Sequence, residues 1–354
     1  MASGQTLPAS AEAYQRAHRR EMEGALRSIG RQWSRVRPSN VMESWRAVRP
    51  GILATLFVAQ GRISRPTGDY VSDVLQETGL GRVDNPVAKV NLAPLIGFAG
   101  DGRTLEGLVD LTPRKLLDLL NRADGPGPRI AWEEAERWLN LASSTALSDT
   151  ARQAELLHTA VRPGVDGYVR MLTPPSCSRC AILAGKWYRK NQGFERHPGC
   201  DCLHIPASEA VAGDIRLDPV EYFASLPTAA ELAEQYPDLG VHERRKRGLI
   251  SQEDVFTRDG AAVIRAGADP SRVVNARRGM VTAQTASGRR RLVSEDRFGQ
   301  QVFLTTESTT RHGAASRRRT GRKMSDRLMP ESILQIAQDE DDLMRLLKLH
   351  GYIA

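Results

Sequence analysis

Aromatic residues are scarce in this chain, 5% of 354 positions, so whatever core it builds is mostly Leu, Ala and Val. Long apolar runs are missing too. The longest, Gly51 to Ala59, is flanked by arginines and falls short of the roughly 18 residues that a membrane-crossing helix needs. The opening segment, MASGQTLPASAEAYQRAHRR, holds no apolar stretch of the kind that drives secretion, so the sequence reads as one that folds in a cytosol. Cysteine is limited to four residues, and in that compartment thiols or metal ligands are expected before disulfides. Acidic residues fall short of basic ones, for a net charge of +8. The imbalance is local. Between Val241 and Pro330 there are 20 Lys/Arg against 9 Asp/Glu, a net of +11, so the other 264 residues sum to −3. Such a block suits an anionic partner, nucleic acid above all; its plainer reading is a solvated basic stretch.

What the chain has in quantity is helical spacing. Residues 9–36 form the first expected helix, with Tyr14, Ala17, Met22, Leu26, Ile29 and Trp33 near helical intervals. Residues 41–62 and 69–79 follow, the first interrupted by Pro50-Gly51. Residues 85–104, apolar with glycine, read as a buried loop. Thr112-Pro113 opens a helix through Asn121, and a Gly/Pro-rich linker at 123–128 precedes a long helix over 131–161 with a break near Ser143-Ser144. The period then shortens to two: 167–172, 186–189 and 202–205 read as strands of a small hairpin unit. Helical pattern returns at 218–236, broken at Pro227, and again at 251–266 and 332–350. Residues 287–323, Arg-rich with little periodicity, read as a long loop or extended arm. The expected fold is α+β and predominantly helical: a helical N-terminal region 1–122, a core 129–206 with the Cys-rich β-hairpin, and a basic, partly extended C-terminal region 207–354 ending in the helix 332–350.

All four cysteines fall within 26 residues, as Cys177-x2-Cys180-x16-His197-x2-Cys200-x-Cys202. Zinc takes four tetrahedral N or S ligands, and a C-x2-C turn plus a C-x-C pair on a strand supplies them. Cys177, Cys180, Cys200 and Cys202 suffice alone; His197 or His204 can replace one. The alternatives are two disulfides or four reduced thiols packing a hairpin. A zinc deaminase needs H-x-E ahead of P-C-x-x-C, but the position of the glutamate is Ala160 in His158-Thr159-Ala160, and H-E-x-x-H is absent. Four protein ligands leave no open position for a water, so the site reads as structural.

Cys177-x-x-Cys180-Ala-Ile-Leu-Ala-Gly185, Trp187-Tyr188, Phe194 and the closing His197-Pro198-x-Cys200-x-Cys202 resemble the core of phage Mu F-like minor head proteins over roughly residues 130–206. That family usually closes on Cys-Arg-Cys, where this chain has Cys200-Asp201-Cys202. Downstream, Phe256-x-x-Asp259-Gly260, Ile264 to Pro270, Val273 to Gly279 and Pro330-Glu331-Ser332-Ile333 resemble the minor capsid proteins of actinobacterial tailed phages. The resemblance implies a non-enzymatic virion protein of the head interior. It would be assembled in the host cytoplasm, with portal and major capsid proteins as partners and no membrane. Packaged DNA, bound non-specifically, would meet Arg289, Arg290, Arg291, Arg317, Arg318, Arg319, Arg322 and Lys323.

Three other readings compete with this one. A capsid maturation protease would need a serine, a histidine base and an orienting acid; His158, His197, His204, His242 and His312 are available, but no G-x-S-x-G or other local signature joins them to a serine. A sequence-specific DNA-binding zinc protein would need a recognition helix after the knuckle, where Leu203-His204-Ile205-Pro206 stands instead. Arg277-Arg278-Gly279 could hold an anion at a turn, though a solvated turn explains it as well.

Overall fold

A computed structural model of the chain describes residues 7–172, 176–191, 199–200, 202–215, 217–278, 282–284, 290–292, 294–297, 300–305, 307 and 327–353. The fold is α+β and predominantly helical. The chain divides into two compact units, Gln5–Thr173 with Ala184–Arg216, and Leu217–Ala354 with Pro174–Leu183. No helix among the described residues is long and apolar enough to cross a membrane.

The first unit is a helical body carrying one small sheet. Its helices are α1 (Ala9–Trp33), α2 (Val41–Ser64), α3 (Thr67–Glu77), α4 (Leu105–Val109), α5 (Leu111–Leu120) and α6 (Pro128–Ala160). Ile29, Trp33, Trp45, Ile52, Leu56, Val71, Val74, Leu139 and Leu147 meet in its core. Three of the five tryptophans meet there: Trp33 packs edge-on to Trp45 at 6.2 Å and tilted against Trp132 at 5.5 Å.

Two expected breaks in this body are absent. α2 runs through Pro50, which forfeits one backbone hydrogen bond, because Trp45, Val48, Ile52, Leu53 and Leu56 on either side are all buried. Gly51 marks a close approach instead of a break: a Cβ there would run into the Gln32 side chain on α1. α6 likewise continues through Ser143, which is buried, and Ser144, whose hydroxyl bonds the Leu141 carbonyl. Residues 85–104 do form a loop, but none of them is buried. The loop lies on the surface and is pinned by Gln60, whose amide donates to the Phe98 carbonyl at 2.8 Å and accepts from Gly97 N–H at 2.8 Å. A loop at the surface keeps its backbone polar groups hydrated, which burial would not.

The sheet has β1 (Gly167–Arg170) at its centre, antiparallel to β2 (Trp187–Arg189) and β3 (His204–Ala207). Tyr168 faces Tyr188 on one side and Pro206 on the other, and all four residues of both β1 and β3 are buried.

The second unit contains α7 (Ser178–Leu183), α8 (Pro219–Ser225), α9 (Ala229–Gln235), α10 (Val241–Lys246), α11 (Gln252–Phe256), α12 (Arg258–Arg265), α13 (Pro270–Arg278), α14 (Pro330–Ile336) and α15 (Glu340–Leu349). Strands β4 (Thr282–Gln284) and β5 (Arg290–Leu292) pair, as do β6 (Ser294–Arg297), β7 (Gln300–Thr305) and β8 (Arg327–Leu328) in a second sheet. The described part of 287–323 thus contains strands where a loop or arm was expected.

Two helices expected to be continuous are split. The 251–266 helix breaks at Thr257, held at φ 69°, where its hydroxyl caps α12 through Gly260 N–H. The 332–350 helix stops at Ile336 and restarts when Asp339 accepts from Asp342 N–H. In both places a side-chain cap opens a new helix more favourably than the old one continues. The C-terminal segment is tied down by Tyr352, which donates to the Leu328 carbonyl and lies 4.2 Å beneath the Arg327 guanidinium.

Candidate metal centre

Cys180, Cys200 and Cys202 are buried, and their Sγ atoms all lie within 4.8 Å of one another. Cys177 is exposed and its sulfur stands 3.5 Å from that of Cys180. No disulfide joins any of the four.

Local structure explains how each arm is aimed. In the C-x2-C arm, Cys177 sits at the start of α7: its sulfur accepts Cys180 N–H at 3.4 Å and its carbonyl accepts Ala181 N–H at 3.1 Å. One helical turn therefore sets the spacing of the pair. After α7 the chain turns at Gly185, whose φ of 71° suits a residue without Cβ, and its N–H returns to the Arg170 carbonyl at the end of β1. In the C-x-C arm, Gly199 N–H bonds Thr145 Oγ1 at 2.8 Å, and Met171 N–H bonds the Leu203 carbonyl at 3.0 Å. Those bonds fix both ends of the Cys200–Cys202 segment.

Two arginines beside this segment are almost wholly excluded from solvent, Arg152 at 1% and Arg170 at 0% exposure. Arg152, on α6, donates Nη1 to the carbonyls of both Cys200 (2.8 Å) and Cys202 (3.0 Å), and Nη2 to Asp149 (2.6 Å). Arg170, at the end of β1, donates Nη2 to the Cys200 sulfur at 3.2 Å. One turn along α6, the buried Glu155 accepts His204 N–H at 3.0 Å. Tyr70 donates to the His204 carbonyl at 2.6 Å, and Tyr14 stacks on Tyr70 at 3.9 Å. Burial, with the Glu155 carboxylate nearby, holds both tyrosine hydroxyls well above the ordinary phenol range, so both stay neutral.

The expected ligands separate on this geometry. Cys180, Cys200 and Cys202 come together, with Cys177 beside Cys180. His197 lies outside the described residues. His204 does not belong to the sulfur group: its ring packs on Tyr168 at 4.1 Å, with Nδ1 3.5 Å from Glu155 Oε2. Of the expected DNA-contacting residues, Arg289, Arg317, Arg318, Arg319, Arg322 and Lys323 lie outside the described residues, while Arg290 and Arg291 belong to β5. Arg152, Arg170 and Glu155 were not expected at the site. Their codes read as surface charge, and only the packing of α6 on the sheet buries them.

Three buried sulfurs this close together could hold a metal ion, and thiolates suit soft ions. Comparison of the chain with protein-family models, with curated proteins and with solved structures returns no match.

A histidine near this network makes the first unit acid-sensitive. His18 is buried, and burial, with Arg152 and Arg19 adding repulsion, lowers its pKa from 6.5 to about 4. The folded state therefore favours the neutral ring. Its stabilising share is complete above pH 6.5 and is lost as pH falls towards 4, because the unfolded chain binds the proton first. The loss should amount to about 3 kcal/mol across that window. Urea midpoints at pH 7 and pH 4.5 measure it. His18→Leu should flatten this part of the pH profile, and an equally steep profile in the variant would assign the acid loss elsewhere.

Proposed function

We propose that this chain is a structural protein of the tailed-phage head, a minor capsid protein of the Mu F-like kind, with a zinc ion tying its cysteine arms into a closed knot. The observation that carries the reading is the group of three buried sulfurs, those of Cys180, Cys200 and Cys202. In this reading Cys177, which is exposed and stands outside the group of three but 3.5 Å from the Cys180 sulfur, would move in as the fourth ligand. With Cys177 as the fourth sulfur no position would stay open, and the ion would be an architectural one, since a catalytic zinc keeps a place for water. The protein would sit in the head interior beside the portal. The basic block between Val241 and Pro330 would face packaged DNA through sequence-independent phosphate contacts.

The test is co-expression with the portal and major capsid proteins of the same genome. The chain should enter assembled heads carrying about one zinc and leave the capsid protein uncut. A metal-free chain, with capsid protein trimmed only in its presence, would replace this reading with a maturation protease. For the DNA contact, the logarithm of the binding constant should fall linearly with the logarithm of salt, by about 0.9 per phosphate engaged. Affinity indifferent to salt would remove the phosphate contacts.

A further inference from the structure

We propose that Cys177 and Cys180 are a redox-active dithiol, in which the exposed Cys177 reacts with a small-molecule disulfide and Cys180 closes the bond, and that this closure expels the metal ion. The pairing stands on the two cysteines themselves; only its consequence for the ion rests on the metal reading above.

The two sulfurs stand 3.5 Å apart. A disulfide needs about 2 Å, so closure asks for a movement of about 1.5 Å. Rotation of the Cys177 side chain supplies it, since that residue is exposed and precedes α7 instead of lying within it. Cys180 N–H reaches the Cys177 sulfur at 3.4 Å, which keeps the outer sulfur over the first turn of α7. Access then divides the roles. Cys180 and Cys200 are 2% exposed and Cys202 is 0% exposed. A reagent in solution therefore meets Cys177 first, and the Cys200–Cys202 arm offers it no entry. The bond would close a loop of only four residues, 177–180. So short a loop gains little from chain entropy, and the redox poise of the surroundings decides whether the bond forms.

The step balances with oxidised glutathione as the disulfide reagent. The Cys177 thiolate attacks one of its sulfurs, which forms a mixed disulfide and releases one glutathione thiolate. The Cys180 thiolate then attacks the Cys177 sulfur; the Cys177–Cys180 bond forms and the second glutathione thiolate leaves. Two electrons pass from the cysteines to the reagent. The two glutathione thiolates take up the protons that the cysteines gave up, or protons from water where an ion had already displaced them. Cys180 belongs both to this pair and to the group of three buried sulfurs. A sulfur in a disulfide is no longer a thiolate ligand. Closure leaves only Cys200 and Cys202 as thiolates, two where a structural zinc takes four.

The experiment equilibrates the full chain, zinc-free and zinc-loaded, in glutathione buffers from reduced to oxidised. Remaining thiols are then alkylated under denaturing conditions and mapped by peptide mass spectrometry, while a colour-forming chelator reads released zinc. Oxidised glutathione should join Cys177 to Cys180 in most chains, leave Cys200 and Cys202 alkylated, and free about one zinc per loaded chain. Cys177→Ser should leave Cys180 alkylated in the same buffers. A parent whose four thiols all stay alkylated, or whose bond involves Cys200 or Cys202, overturns the pairing. Reaction of Cys180 in Cys177→Ser at the parent's rate overturns Cys177 as the point of entry. A loaded chain that keeps its ion in oxidised glutathione overturns the release. A chain that takes up no zinc yet forms the Cys177–Cys180 bond removes the metal reading, and the release with it, and supports the dithiol.

Discussion

Cys200→Ser should release the bound metal and lower the melting temperature of the chain by about 8 to 16 °C. The size follows from linkage. An ion present at about a thousand times its dissociation constant adds about 4 kcal/mol to the folded state. In a unit of this size each kcal/mol moves the midpoint by about 2–4 °C. Serine keeps the shape of the side chain but is a poor ligand for a soft ion. Cys200 suits the test because it is one of the three buried sulfurs and its carbonyl is held separately by Arg152. The backbone contact thus survives the substitution. Calorimetry with and without a chelator separates the two causes of instability. The chelator should bring the parent down to the variant's midpoint and leave the variant unmoved. Unchanged metal content in Cys200→Ser would end the case for the centre, and a fall that the chelator cannot reproduce would assign the residue to packing.

Arg152→Met should cost about 3–5 kcal/mol in urea unfolding, even without added metal. Methionine fills much of the same space but offers no donors. The carbonyls of Cys200 and Cys202 would lose their shared partner, and the Asp149 carboxylate, 20% exposed, would lose its ion pair. Removing one member of a buried pair is costly because the groups left behind remain desolvated. A loss below about 1 kcal/mol would mean that water reaches these groups and that the arginine does not organise the cysteine loop. The two variants test different things: Cys200→Ser removes a ligand, and Arg152→Met removes the scaffold that presents two of them.

Much of this architecture was legible in residue order, and the exceptions share a cause. The helices around Tyr14, Ile29 and Trp33, the linker before α6, and the switch from helical to strand spacing after Gly164 all follow from local pattern. The Thr257 and Asp339 caps are also present in the sequence, yet apolar spacing runs on through both segments and points to continuous helices. Pro50 signals an interruption because its local penalty is visible, whereas the packing that offsets it depends on residues distant in sequence. The same holds at the site. Cysteine spacing alone pointed to Cys177, Cys180, Cys200 and Cys202. Nothing local marks Arg152, Arg170 or Glu155 as buried, because their burial comes from a 33-residue helix lying against a three-stranded sheet. His204 shows the opposite error: proximity in sequence made it a candidate ligand, and strand direction turned it to Glu155.

α6 has a consequence for how this sequence can change over generations. At 33 residues it is about 50 Å long and unbroken. Thr145, Asp149, Arg152 and Glu155 lie at steps of four, three and three residues along it, and together they serve the backbone from Gly199 to His204. Substitutions elsewhere around this helix change one contact at a time. A single inserted or deleted residue between Thr145 and Glu155 would instead rotate part of that row by about 100° and unseat several contacts at once. This stretch can therefore drift in composition but not in length, whereas the exposed loop over 85–104 can lengthen or shorten freely between its anchors. Among descendants of this chain, the helix should keep a constant count of residues long after its identities have diverged.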